Sequence, residues 1–161
     1  LSKGIICSMH KALKEGVFED KANGYAVGEF KKRENAVADI KTTVPSDVEY
    51  EIQRLISKFY TKAMITIGVI SLFHAEFEHI HPFQDGNGRV GRMIIFKECL
   101  AHSIIPVIIK DEDKTRYIRA LNKAQKQKNI TDLTNYFKET EEAYMLLAKD
   151  FLFDYDSIAR E

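Results

Sequence analysis

His81-Pro82-Phe83-Gln84-Asp85-Gly86-Asn87-Gly88-Arg89-Val90-Gly91-Arg92 is the stretch on which the reading of this chain turns. It holds one imidazole, one carboxylate, three glycines, an asparagine and two arginines. A loop that turns through glycines into a helix presents several free backbone N–H groups, and the helix dipole adds positive character there. Gly86, Asn87 and Gly88 stand at such a junction, just ahead of an apolar run that begins near Arg89. Glycine lets the backbone approach an oxyanion with no Cβ in the way. Arg89 and Arg92 are three apart, so in a helix they share a face and can reach one anion together. Without that anion they repel.

Asp85 sits where a carboxylate would oppose bare phosphate. A divalent cation resolves the conflict, because Mg²⁺ typically takes one or two carboxylates together with phosphate oxygens and water. Asp85 is therefore read as the metal ligand. His81 lies four residues earlier, and its reference pKa near 6.5 makes it the natural proton acceptor at neutral pH. Pro82 stiffens the loop, and Phe83 anchors it in the core. Taken singly, each of these residues has an ordinary structural use. Together at a helix N-terminus they describe a site for a polyphosphate with a base beside it.

Working outward, the segment before the loop, from about Lys62 to Glu78, is apolar nearly all round and reads as a central buried helix. A second apolar helix follows from about Gly88 to His102. Upstream, Ser46-Asp47-Val48-Glu49 has the form of a capping box opening a helix with Ile52, Leu55, Ile56 and Phe59 on one face. Asn35 to Ile40 alternates like a short extended hairpin that ends at Pro45. Near the start, Ile5, Ile6, Met9 and Leu13 keep helical spacing, with Gly16 as the stop. Downstream, Ile104 to Ile109 is a short β-like connector. Asp111 is expected to cap a helix with Tyr117, Ile118, Leu121 and Ala124 inward. Thr131 is expected to cap another, and a last helix is expected from about Thr140 to Phe153. The fold class is mainly α, a helical bundle with a small β-hairpin, in one domain over residues 1–161.

Composition restricts the alternatives. Lys+Arg and Asp+Glu balance at 24 each, so bulk charge gives no reason to expect nucleic acid or a membrane as partner. No run of 18 apolar residues occurs. Cys7 and Cys99 are the only cysteines and form no metal or disulfide pattern, which fits a reducing, cytoplasmic setting. Neither a P-loop nor a protein-kinase catalytic loop is present. His74 and His79 lack zinc-enzyme spacing; His74 reads as helix packing and His79 as partly exposed.

The signature resembles that of the Fic (filamentation induced by cAMP) family, His-x-Phe-x-(Asp/Glu)-Gly-Asn-Gly-Arg-x-x-Arg, at every fixed position. Leu72 to Ile80 looks like the family's central helix and Gly91 to Phe96 like the one that follows. The resemblance implies a Fic fold and a protein adenylyltransferase, moving AMP from ATP to a Ser, Thr or Tyr hydroxyl with release of pyrophosphate. By that likeness His81 is the general base and Asp85 holds Mg²⁺. Phe83, Gly86, Asn87, Gly88, Arg89 and Arg92 make up the nucleotide-holding loop. Gly88 favours AMP transfer, since the Doc-like kinase branch carries Lys there. Tyr117 and Gln125 match where the family often lines its adenine pocket, although Tyr117 reads equally as core. The hairpin near Val37–Thr43 resembles the family's flap, along which a target protein docks by strand addition; taken alone it is an ordinary surface hairpin. Self-modification and a homodimer are further expectations from the family. A hydrolase that removes AMP, or a transferase using another nucleotide, is the alternative reading.

Family members are mostly held off by a helix bearing (Ser/Thr)-x-x-x-Glu, whose Glu pairs with the second signature arginine, here Arg92. Ser157 to Glu161 is the one match in this chain. The preferred expectation is instead that the inhibitory helix lies upstream of Leu1, in a longer protein of which this is a released piece.

Overall fold

The computed structural model describes residues 1–37 and 39–158. Glu161, the candidate inhibitory carboxylate, lies outside them.

Among the described residues the elements run α1 (Lys3–Lys14), α2 (Phe18–Ala22), β1 (Ala36–Val37), β2 (Ile40–Lys41), α3 (Val48–Tyr60), α4 (Ile67–Ile80), α5 (Asn87–Ala101), α6 (Lys114–Gln127) and α7 (Thr131–Ile158). Short 3₁₀ turns at Pro45–Asp47 and Asp111–Asp113 lead into α3 and α6. The two strands form an antiparallel hairpin in which Ala36 faces Lys41 and Val37 faces Ile40. No described helix is both long and apolar enough to cross a membrane.

α4 is the axis of the bundle, packed by α3, α5, α6 and α7, while α1 lies across α5. Its side chains are apolar on most of its circumference, the pattern of a helix with neighbours on every side. Ile70, Phe73, Phe77 and Ile80 are almost fully buried, and Leu133, Tyr136 and Phe137 of α7 close over them. Phe59 of α3 meets the ring of Phe73 edge-on at 5.0 Å. A buried hydroxyl needs a partner, and Ser71 donates to the Ile67 carbonyl one turn back at 2.7 Å.

Several local expectations are corrected. α4 begins at Ile67, not near Lys62, because Thr66 takes the N-cap and accepts from the Val69 amide at 3.4 Å. The stretch ahead of it is a turn whose Met64 is exposed. The capping box at Ser46 does not form. The 3₁₀ turn intervenes, and the Ser46 hydroxyl donates to Asp47 instead. Asp111 likewise opens a 3₁₀ turn, and α6 starts at Lys114. Ile118 points outward. The two terminal helices are one continuous helix, and Asn129 rather than Thr131 supplies the cap, accepting from the Thr131 amide at 3.0 Å.

Candidate active site

The site is the reversal between α4 and α5. His81 ends α4 in the left-handed region (φ 53°, ψ 61°), which turns the chain sharply out of the helix. Its Nδ1 lies 3.3 Å from the Glu78 carbonyl. A carbonyl only accepts, so the ring proton belongs on Nδ1 and the lone pair on Nε2. Burial pushes the imidazole down to about 4, aided by the positive charge of Lys31 and opposed by the Glu78 carbonyl and Asp85. His81 is therefore neutral at pH 7, with one nitrogen ready to take a proton.

Beyond it the loop is fixed from inside. Phe83 is fully buried. Its amide donates to Asn87 Oδ1 at 2.7 Å, and its carbonyl accepts from Asn87 Nδ2 at 2.8 Å. Asn87 thus locks the loop with both polar atoms of its side chain, a task the motif does not display. Gly86, at φ 80°, is the N-cap of α5 and brings no side chain to the first turn. The first intrahelical bond runs from the Val90 amide to the Gly86 carbonyl, so the amides ahead of Val90 start without an intrahelical acceptor. A Cβ on Gly86 would press on Leu13 and Lys14 at 3.3 and 3.4 Å.

α1 holds the loop from outside. His10 accepts from the Gly28 amide through Nδ1 at 2.9 Å, which leaves Nε2–H to donate to the Asp85 carbonyl at 3.1 Å. The His10 ring stacks on Phe83 at 3.9 Å, nearly parallel. One turn on, Lys14 pairs with Asp85 at 2.5 Å and with Asp20 at 2.7 Å. Arg89 reaches Asp85 from the other side at 3.3 Å. The Lys14 ammonium, more than Arg89, holds the Asp85 carboxyl below its ordinary range. Nothing local in the sequence marks His10 or Lys14 as site residues. Their four-residue spacing on one helix face was the available sign.

The two signature arginines line one groove of about 690 Å³ with Met9, Leu13, Phe96 and Val107. Under Arg92 lies a buried polar group. His74 Nε2 and the Tyr117 hydroxyl are 2.7 Å apart. Glu78 is 6% exposed, and its Oε1 finds no partner among the described residues, nor does His74 Nδ1. Burial lifts Glu78 to about 7 against the pull of Arg92, drops His74 to about 3 and pushes the Tyr117 hydroxyl up. Tyr117 is nearly buried against His74. Gln125 borders a separate cavity of about 710 Å³ with Thr43, Val44, His79 and Ala124. Tyr117 is not among the residues lining that cavity.

A helical domain organised around one anion-ready turn with a neutral histidine is a recognisable class of protein. The chain belongs to the Fic/DOC family, whose model matches residues 1–99, the whole signature included. It is similar to the protein adenylyltransferase Fic of Drosophila willistoni, with 29% identity over 100 residues, 60% of this chain and 20% of that protein. A probable protein adenylyltransferase of Aquifex aeolicus is 41% identical over 63 residues, covering 37% of this chain and 19% of the relative. The chain spans about a fifth of the length of these relatives. Among solved structures, a Fic domain-containing signaling protein of Bacteroides thetaiotaomicron superposes with a TM-score of 0.80 at 21% identity, over 92% of this chain and 62% of that one. Fic-1 of C. elegans gives 0.71 at 21% identity, over 91% and 42%. The Fic fold therefore extends beyond the matched 99 residues, through α6 and into α7.

Proposed function

We propose that this domain transfers AMP from ATP to a hydroxyl of a protein. The observation that carries the reading is the neutral His81, its Nε2 lone pair five residues ahead of Gly86, the N-cap of a helix whose first turns carry Arg89 and Arg92. A base worth its place must be unprotonated at working pH, and His81 is. In the reaction the acceptor hydroxyl gives its proton to Nε2 as its oxygen bonds to the α-phosphorus. The bond from that phosphorus to the bridging oxygen breaks, and pyrophosphate leaves. The first-turn amides of α5 and the two guanidiniums hold the charge that builds on the leaving group.

Asp85 fits a divalent cation. Its side chain is 51% exposed at the mouth of the turn, it is kept ionised, and the cations now on it, Lys14 and Arg89, are ones a metal would displace or share. Mg²⁺ held by Asp85 would supply charge neutralisation to the polyphosphate. The acceptor docks along the hairpin near Val37–Thr43, where extended backbone is available for strand addition.

The test is incubation with Mg²⁺ and ATP radiolabelled at either the α- or the γ-phosphate, followed by a denaturing gel. Label on protein, the domain itself included, from the α-position alone supports AMP transfer. Label from the γ-position makes the domain a kinase. No label from either, on the domain itself or on the proteins of a cell extract, removes the transferase reading.

A further inference from the structure

The loop that carries His81 is also tied to the hairpin, and the tie passes through one buried cation. Lys31 is 3% exposed. Its ammonium donates to Asn35 Oδ1 at 2.6 Å, to Thr42 Oγ1 at 2.8 Å and to the Ile80 carbonyl at 3.4 Å. Three donors meet three acceptors, which is the full capacity of the group. Asn35 and Thr42 flank the open end of the hairpin, one residue outside the Ala36–Lys41 pair. The Thr42 hydroxyl donates onward to Asn35 at 2.7 Å, so the two strand ends are joined across Lys31. Ile80 is the last residue of α4, and the negative end of the helix dipole faces the ammonium.

The same segment grips the loop through its backbone and its asparagine. The Lys31 amide donates to the Pro82 carbonyl at 2.8 Å, and Asn35 Nδ2 donates to the Phe83 carbonyl at 3.0 Å. The carbonyls of Ile80, Pro82 and Phe83 are thus all held by the two residues that lead into the hairpin. His81 lies between them.

A lone buried ammonium is an expensive way to close a turn. No carboxylate pairs with Lys31 among the described residues, and burial lowers it to about 8, so it keeps its charge at pH 7. A compact cation with three rotatable donors can bind strand, strand and helix end at once, which no apolar side chain can do. By contrast, the elements at the mouth of α5 are held by His10 and Lys14 of α1 and by Asn87. The two sets of contacts share only Phe83.

We propose that Lys31 is a positioning residue for transfer. It fixes the hairpin to the His81 loop, so that an acceptor docked on the hairpin meets Nε2 in one register. This rests on the adenylyltransferase reading, yet it separates from it. Because Lys31 does not touch the anion-holding turn, its loss should act on acceptor geometry and leave nucleotide binding alone. A misplacement of about 1 Å is enough to lower a rate by about 100-fold.

The experiment compares wild type, Lys31→Met and Lys31→Arg in three measurements. These are Mg·ADP affinity by calorimetry, self-transfer of label from α-labelled ATP, and hydrogen exchange of backbone amides. For Lys31→Met, ADP affinity stays within about twofold while transfer falls about 10- to 100-fold. Amides in β1, β2 and residues 81–83 exchange faster, and those of α5 do not change. Lys31→Arg, which keeps the charge and the donors, recovers most of the transfer. Wild-type transfer in Lys31→Met overturns the inference, as does a parallel loss of ADP affinity and transfer. If wild type itself moves no label, the adenylyltransferase reading fails first. Hydrogen exchange then decides alone: unchanged exchange in the hairpin and loop overturns the positioning role, and selective loosening supports it.

Discussion

Two carboxylates stand at the reversal between α4 and α5, one inside the signature and one just before it, and their surroundings give them opposite character. Asp85, on the outer side of α5, is half exposed and meets Lys14 and Arg89, which keep it ionised. Glu78, on the inner side, is buried beneath Arg92 with one oxygen unpartnered among the described residues, and it sits near 7. Each faces one of the two signature arginines. The outer pair can open toward a ligand, because solvent and neighbouring cations stand in when a partner leaves. The inner group has no such substitute, since a buried polar atom that loses its partner loses water as well. Environment, rather than residue type, separates a carboxylate ready for a metal from one that holds a proton.

Replacing His81 by Ala should have the largest effect. Transfer is expected to fall by about 10²–10⁴ with ADP affinity kept, as read by α-label incorporation and calorimetry. Transfer that survives would put the base elsewhere and leave the outer side of the turn with the chemistry alone. The glycines contrast the two sides directly. A Cβ at Gly91 would stand 2.3 Å from Glu78 Oε1 and 3.1 Å from His74, whereas one at Gly88 would meet only the mobile end of Arg92 at 3.3 Å. Gly91→Ala should therefore lower unfolding stability by about 1–3 kcal/mol in urea titrations. Gly88→Ala should change it by only about 0.5 kcal/mol. Equal effects would mean that the inner side is as yielding as the outer.

Asp85→Asn should remove most of the gain in ADP affinity on adding Mg²⁺, a loss of about tenfold, or 1.4 kcal/mol, by calorimetry. An undiminished Mg²⁺ effect would exclude Asp85 as the ligand. The smallest effect concerns Glu78 and pH. Its native pKa of about 7 lies above the ordinary 4.5, so its contribution to stability is full below 4.5 and is lost as pH rises through 7. Glu78→Gln keeps a neutral group of the same shape and drops that dependence. Relative to wild type the variant should gain about 1 kcal/mol between pH 6 and 7 in denaturation curves. Parallel curves would mean that Glu78 is ionised throughout.

Much of the fold was legible because its marks are local. The signature sets the reversal, the apolar runs on either side give α4 and α5, and the alternation around Val37 gives the hairpin. The last two expected helices are one because residues 137–140 carry no Gly or Pro to part them, and the packing of Leu133, Tyr136 and Phe137 on α4 shows where α7 runs. The cap motifs at Ser46 and Asp111 were overridden by 3₁₀ turns. At the site, the residue types in the loop were readable, but their supports were not. His10 and Lys14 meet Asp85 across more than 70 residues, and Lys31 meets Ile80 across 49, separations that leave no pattern in a sequence window. Asn87 shows a related limit. The sequence marked it as important, and only the structure shows its side chain closing the loop on Phe83.

The backbone of His81 has a consequence for how such a domain ages. A left-handed conformation is easy for glycine and strained by about 1–2 kcal/mol for a residue with a Cβ. Backbone strain alone would favour glycine at this position, and the proposed chemistry favours histidine. On the proposed mechanism, a copy that trades His81 for glycine loses its base and relieves this backbone strain, at the cost of glycine's greater freedom in the unfolded chain and of the contact with the Glu78 carbonyl. A His81→Gly copy would therefore lose activity far sooner than it loses its fold.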